Sequence, residues 1–329
     1  MKKRLLLIMP NFFNYPQEIC KELENMGYEV DFFDDRPSTN GFVKAIIRLK
    51  KELIGKYIEL YFEKMMNIVR KKKYDIVFLI SGQSLSFSKE MIIKIKEKQT
   101  NAKFILYQWD SLNNFQYIKE ISPLFDECYS FDRDDAENNI NLRFLPLFYT
   151  KQYELMKSKN QKERFDFCFI GTAHPKKYKF IKLMSNKLKK VYPNQFIYYF
   201  FPSRIVFFYR KIINTELRKS HYSEFHFKPL LGEEMNSIYS ESKCVLDSAQ
   251  AGQKGLTIRV IEALGASKKI ITTNTDVLNY DFYCEENIYV YNGGEFDYKS
   301  PFFTKPYKQL EEKIYKKYSL KNWLKTMGI

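Results

Sequence analysis

The chain is 329 residues long, with 45% hydrophobic and 17% aromatic residues. This composition excludes extensive disorder and leaves room for one large α/β domain or, as expected here, two of ordinary size. Its 54 Lys and Arg against 39 Asp and Glu give a net charge of +15, which calls for a negatively charged partner. No nucleic-acid partner is expected, because no RNA- or DNA-binding signature is present and the Phe and Tyr sit in apolar runs.

In chain order, residues 4–9 form an apolar strand that ends at Pro10-Asn11. MKKRLLLIMP has the look of a leader, but its apolar core is short and lacks a small-residue cleavage site, so it reads as a strand. Residues 17–26 carry helical spacing closed by Gly27, and residues 28–33 make a second strand. The chain thus opens β-α-β, the start of a doubly wound sheet. The loop 10–15 leaves the carboxyl end of the first strand, where open sheets place ligands, and Asn11, Phe12 and Asn14 are either acceptor-facing or plain loop residues. A long helical pattern runs over residues 42–73 with a soft break at Gly55, and it reads as helices covering the sheet or as a basic face for a membrane surface. Residues 74–80 are a buried strand, followed by Ser81-Gly82-Gln83-Ser84 at its carboxyl end.

The next strand, residues 104–109, ends in Gln108-Trp109-Asp110-Ser111. A carboxylate beside a Trp can have a raised pKa and so suit a general base, which makes Asp110 a candidate for that role; a helix N-cap is the alternative reading. Residues 128–131 are a further strand before Asp132-Arg133-Asp134-Asp135. Asp132 and Asp134 match the short D-x-D pattern of a divalent metal site, although a carboxylate cluster capping the following helix is the favoured reading. Residues 144–147, with Pro146, close the first sheet at an edge, and residues 150–164 look like the crossing into a second domain. There the strand 165–170 ends in Gly171-Thr172, with His174 shortly after. A basic helix over 176–190 and a strand over 195–201 precede residues 202–213, where Phe207, Phe208 and other bulky apolar residues are mixed with cations. That run is a half-buried surface helix or an element suited to a lipid headgroup interface. Residues 225–230 form a strand, 233–239 a small helix, 287–291 a short strand and 309–323 a terminal helix. The five cysteines, Cys20, Cys128, Cys168, Cys244 and Cys284, are scattered with no C-x-x-C pair, which argues for a reduced cytoplasmic setting and against zinc.

The most informative stretch is residues 243–274, which reads strand (243–247), loop (248–255), helix (258–264), strand (269–273). Gly252 and Gly255 allow a ligand to approach the backbone at a helix N-terminus, which favours phosphate. Ile258, Ile261 and Leu264 supply the core-facing stripe, while Arg259 and Glu262 stand three apart on another face, as functional groups or as a surface ion pair.

The run QKGLTIRVIEAL at residues 253–264, together with YQWDS at residues 107–111, resembles bacterial lipopolysaccharide-core and capsule glycosyltransferases of the GT-B class. Glu262 matches the second glutamate of the E-x7-E element of many retaining members, whereas the first position is Lys254, so the usual contact to the donor sugar is absent or altered. The resemblance implies two facing Rossmann-like domains, an acceptor domain over residues 1–150 and a donor domain over 151–305, with a helix at 306–329 folding back on the first. It also implies a nucleotide-sugar donor held by Gly171, Thr172, Lys228, Gly255, Thr257, Arg259 and Glu262. Asp110, Arg259 and Lys254 would carry catalysis, with no metal or other cofactor. The implied acceptor is a saccharide, commonly lipid-linked in this class, met at an anionic membrane surface on the inner face of the plasma membrane. A non-catalytic binding protein with the same shell is the alternative. Dinucleotide, P-loop, zinc-protease and nucleophile-elbow motifs are all missing from the sequence.

Overall fold

The computed structural model describes residues 2–37, 55–82, 85–157, 162–230, 232–249 and 253–329. The chain divides into two compact units, the first comprising Met1–Pro146 with Trp323–Ile329 and the second Leu147–Asn322.

The first unit is built on six parallel strands: β1 (Arg4–Met9), β2 (Glu29–Asp34), β3 (Ile76–Ser81), β4 (Lys103–Gln108), β5 (Glu127–Ser130) and β6 (Arg143–Phe144), in the order β2-β1-β3-β4-β5-β6. Strand β3, IVFLIS, is buried at every position, as expected of a central parallel strand covered on both faces. Strand β2, EVDFFD, has no fully buried residue and lies at an edge. The helices α1 (Tyr15–Asn25), α2 (Gly55–Val69), α3 (Lys89–Lys98), α4 (Ile118–Ile121) and α5 (Arg133–Glu137) connect the strands. Helix α2 is described from Gly55 onward; the earlier part of the 42–73 pattern, and with it the expected soft break at Gly55, falls on residues outside those described. Asp132 is the N-cap of α5 and accepts the Asp134 N–H at 3.1 Å, so its carboxylate serves the helix start. Among the described residues no cluster of His, Cys, Asp and Glu has the geometry of a metal site.

The terminal helix, Leu320–Thr326, belongs to this first unit from Trp323 onward. Trp323 is fully buried, its ring 4.7 Å from that of Tyr107 and 5.8 Å from that of Phe78, and the Lys103 Nζ donates to the Met327 carbonyl at 3.4 Å. The single terminal helix expected over 309–323 is in fact two, Glu312–Lys317 and Leu320–Thr326. Between them Ser319 forms a parallel bridge with Tyr149, and the Tyr149 N–H and carbonyl bond Tyr318 O and Leu320 N at 2.9 Å each. Those backbone groups are committed across the chain and cannot continue a helix.

The second unit repeats the plan with β7 (Phe165–Thr172), β8 (Gln195–Phe200), β9 (Phe225–His226), β10 (Ser242–Leu246), β11 (Lys269–Thr272) and β12 (Ile288–Val290), all parallel, in the order β12-β11-β10-β7-β8-β9. Its helices are α6 (Lys151–Lys157), α7 (Pro175–Leu188), α8 (Arg204–Ile213), α9 (Thr215–Arg218), α10 (Gly232–Ser240), α11 (Ile258–Gly265), α12 (Pro301–Thr304) and α13 (Glu312–Lys317). From β7 the chain winds outward through β8 and β9, then returns to the other side of β7 and winds through β10, β11 and β12. The direction therefore reverses between β7 and β10, and the crevice at their carboxyl ends is where sheets of this kind bind ligands.

Candidate functional site

Gly171 and Thr172 end β7, and Asp247 and Ser248 follow β10, so both pairs stand at the reversal point of the second sheet. Asp247 is completely buried. Its Oδ1 accepts from Arg259 Nη1 at 3.0 Å and from Thr257 Oγ1 at 2.9 Å, and its Oδ2 accepts from Thr272 Oγ1 at 3.0 Å. One carboxylate thus joins β10, β11 and the start of α11. A buried carboxylate persists as an ion only when paired and bonded in this way.

Arg259 is held from three sides. Besides Asp247, its Nη2 donates to the Ile170 carbonyl at 2.9 Å, and its guanidinium lies 4.9 Å from the centre of the Phe169 ring. A Cβ at Gly171 would come within 2.5 Å of Nη2, so only glycine fits there while this bond is made. The ion pair of Arg259 is therefore with Asp247. Glu262, one turn along α11 and half-buried, adds to the negative field around the guanidinium. Asp247 was legible in the sequence only as the end of a strand.

Lys177 is a second residue that sequence reasoning passed over. It lies in the first turn of α7, which starts at Pro175 and contains no acidic residue. Burial and the neighbouring Arg259 charge push its ammonium pKa down to about 8, with Asp247 acting in the opposite direction. Cations at the positive end of a helix are unfavourable unless an anion joins them. The paired Lys176-Lys177 directly after Gly-Thr-Ala-His-Pro was the available signal. Helix α11 likewise has no acidic residue in its first turn, and Thr257 is its N-cap. Two helix starts, Arg259 and Lys177 accordingly gather positive potential around the end of β7, an arrangement that suits a phosphate or diphosphate.

The remaining expected donor residues are placed more loosely. Asn274 Nδ2 donates to the Lys254 and Gly255 carbonyls at 2.9 and 3.2 Å and so pins the chain before α11, while the Lys254 side chain is exposed. Gly252 lies outside the described residues. Lys228 follows the edge strand β9, is exposed, and accepts the Tyr198 hydroxyl on its carbonyl at 2.8 Å. The structure thus brings Gly171, Thr257 and Arg259 together and sets Lys228 apart on the edge of the sheet.

In the first unit the corresponding reversal lies between β1 and β3, and β4 is next to β3. The half-buried Asp110 follows β4, with its carbonyl accepting from Gln108 Nε2 at 2.7 Å. A Cβ at Gly82, at the end of β3, would lie 2.6 Å from Asp110 Oδ2 and 3.0 Å from Trp109 Nε1, so Gly82 makes room for this segment. The exposed Phe12 reaches Trp109 with ring centres 6.3 Å apart, which sets the loop after β1 beside the segment after β4. Arg36 secures that loop by donating to the Asn11 carbonyl at 3.1 Å while pairing with Asp34 and Asp35. Asp135 accepts the Leu112 N–H at 2.7 Å, and burial raises its pKa to about 6. It fastens the segment that carries Asp110.

No family model matches the sequence, and no curated protein matches it. Solved structures do. Anabaena HepE, in complex with UDP and glucose, aligns over 100% of this chain and 98% of its own at a TM-score of 0.57 and 11% identity. A glycosyltransferase from Rickettsia africae aligns over 99% and 97% at 0.53 and 13% identity. An alpha-glucosyltransferase, in complex with UDP and a 13-mer DNA, aligns over 87% and 81% at 0.53 and 14% identity. At such identities the likeness is one of fold, and with its two Rossmann-like units, each a six-stranded parallel sheet, this chain has the GT-B fold of glycosyltransferases.

Proposed function

We propose that this protein is a glycosyltransferase that moves a sugar from a nucleotide-sugar donor to a saccharide acceptor. The observation that carries the reading is the Asp247–Arg259 pair beneath Gly171 with Lys177 beside it, at the reversal point of the second sheet. In this reading the donor diphosphate rests at the starts of α7 and α11, contacted by Gly171, Thr172, Gly255 and Thr257. Glu262 bonds the ribose, and Lys228 approaches the nucleotide from the edge. As the bond between the sugar and the diphosphate breaks, Arg259, Lys177 and Lys254 stabilise the charge on the leaving group, the task a metal ion performs in other transferases. Asp110 takes the proton of the acceptor hydroxyl. Residues 1–150 hold the acceptor, residues 151–305 hold the donor, and the transferred unit is a hexose. The resemblance of residues 107–111 and 253–264 to capsule and lipopolysaccharide-core transferases supports a role in bacterial surface polysaccharide synthesis, with a lipid-linked acceptor at the cytoplasmic face of the membrane.

A thermal-shift screen of UDP-, GDP-, dTDP- and CMP-sugars, followed by assay of nucleoside diphosphate release in EDTA, tests the proposal. At a ligand concentration of about 100 times Kd, binding stabilises by about 2.7 kcal/mol, or roughly 5–10 °C for a unit of this size. Release of diphosphate with EDTA present is the expected result. A shift without release identifies a binding protein, and no shift with any donor overturns the reading. Loss of activity in EDTA with recovery in manganese overturns its metal-independent chemistry.

A further inference from the structure

Helix α8 is mounted the wrong way round for a soluble surface. Ser203 caps it, accepting the Val206 N–H at 3.2 Å, and it runs Arg204–Ile213. Ile205, Phe208, Tyr209 and Ile212 follow one another at intervals of three, one and three residues and so share one helix face. That face points to solvent: Ile205 is 82% exposed, Ile212 73%, Tyr209 60% and Phe208 53%. The inner face is anchored by Phe207 alone, 0% exposed, with ring centres 4.7 Å from Phe225 and 5.5 Å from Phe201. Lys211 is turned towards the unit, while Arg204 and Arg210 are exposed on the flanks. The Lys211 Nζ donates to the Ser220 carbonyl at 2.7 Å, and the Arg204 guanidinium lies 6.0 Å from the Phe227 ring centre. The exposed Tyr222 stacks on Phe208 at 5.9 Å and 14°, widening the apolar surface.

The surroundings decide what covers this stripe. Residues 202–219 contain Arg204, Arg210, Lys211, Arg218 and Lys219 but only one acid, Glu216. A second copy packing its α8 on this one would set these cations against one another, because a two-fold contact repeats the same patch on both sides. An anionic lipid surface meets both demands, since headgroup phosphates pair with the cations while the apolar side chains enter the acyl boundary. Among the described residues no helix is long and apolar enough to cross a membrane. We propose that α8 is a membrane-docking element that lies in the plane of an anionic bilayer with Ile205, Phe208, Tyr209 and Ile212 inserted. This rests on the helix itself, so its failure would leave the transfer reaction untouched.

The test is co-sedimentation of the whole chain with phosphatidylcholine vesicles, with and without phosphatidylglycerol. The wild type is expected to pellet with the anionic vesicles and to be released at high salt. Substitution of Ile205→Ser with Ile212→Ser is expected to lower the bound fraction by tenfold or more with the thermal midpoint unchanged, because neither side chain is in the core. Arg204→Gln with Arg210→Gln is expected to do the same, on the order of fivefold per cation near the surface. Phe207 is unsuitable as a probe, since its loss opens the core. No pelleting, equal pelleting with both vesicle types, or wild-type pelleting by the Ile205→Ser, Ile212→Ser variant would overturn the proposal. So would a wild-type dimer that the same variant turns into a monomer, which would give the stripe to a second copy.

Discussion

Removing the carboxylate of Asp247 is the most searching perturbation of the donor site. In Asp247→Ala the Thr257 and Thr272 hydroxyls lose their acceptor, and Arg259, whose side chain is only 15% exposed, loses its carboxylate partner and keeps the Ile170 carbonyl, the Phe169 ring and the more distant charge of Glu262. Deleting one partner of a buried ion pair costs about 3–5 kcal/mol, because the other charge is left in a poorly solvated place. A unit of this size loses roughly 2–4 °C per kcal/mol, so the expected fall in thermal midpoint is about 6–20 °C. Calorimetric melting of wild type, Asp247→Ala, Arg259→Leu and the double variant completes a double-mutant cycle. The double variant is expected to be no less stable than Asp247→Ala alone, since the stranded charge has gone. Both single variants should bind the donor found in the thermal-shift screen weakly, as the guanidinium is misplaced in one and absent in the other. A fall of under about 2 °C in Asp247→Ala, or strictly additive costs, would refute the account of the site as one coupled unit.

Three further outcomes follow from the same geometry. Gly171→Ala is expected to displace Arg259 from the Ile170 carbonyl, and a hydrogen bond to a charged group is worth about 1.5–3 kcal/mol, so affinity for the donor found in the screen, measured by titration calorimetry, should drop roughly 10- to 150-fold; unchanged affinity would contradict the 2.5 Å approach. Because the Lys177 pKa is displaced downward to about 8, its cation is present below that pH and lost above it. Affinity for the donor should therefore weaken as pH rises through about 8 and Lys177→Gln should flatten the profile, and identical profiles would remove Lys177 from the site. Glu262→Gln should weaken donor binding roughly tenfold with the circular dichroism spectrum intact, through loss of a charge-assisted bond; wild-type affinity would end the ribose assignment.

Much of this architecture was legible in the residues, and the gaps have physical causes. Strands β1, β3, β7 and β10 are apolar runs long enough to be covered on both faces, so they could be read to within about two residues. The resemblance and the arginine-bearing helix over 258–264 point to Gly171, Thr257 and Arg259, and the structure sets the three side by side around the Asp247–Arg259 pair. Asp247 escaped because its partners come from positions 257, 259 and 272, which are neighbours only once β10 lies between β7 and β11. The break near Ser319 escaped for the same reason, being imposed by Tyr149 far back in the chain. For α8 the apolar periodicity was plain, but periodicity gives the existence of a face and not the direction in which it points.

The burial of Trp323 bears on how the protein is made. Phe78 and Tyr107 belong to a unit whose strands are synthesised first, yet the side chain that packs on them is added only after the whole of Leu147–Asn322. At about 5–20 residues per second that interval is on the order of ten seconds or more. During it the nascent first unit has its six strands but an uncovered apolar cleft, while the second unit, continuous in sequence, has everything it needs to close. The unit translated first is thus the one that finishes last, and residues 1–146 produced alone should be prone to aggregation where 147–322 are not.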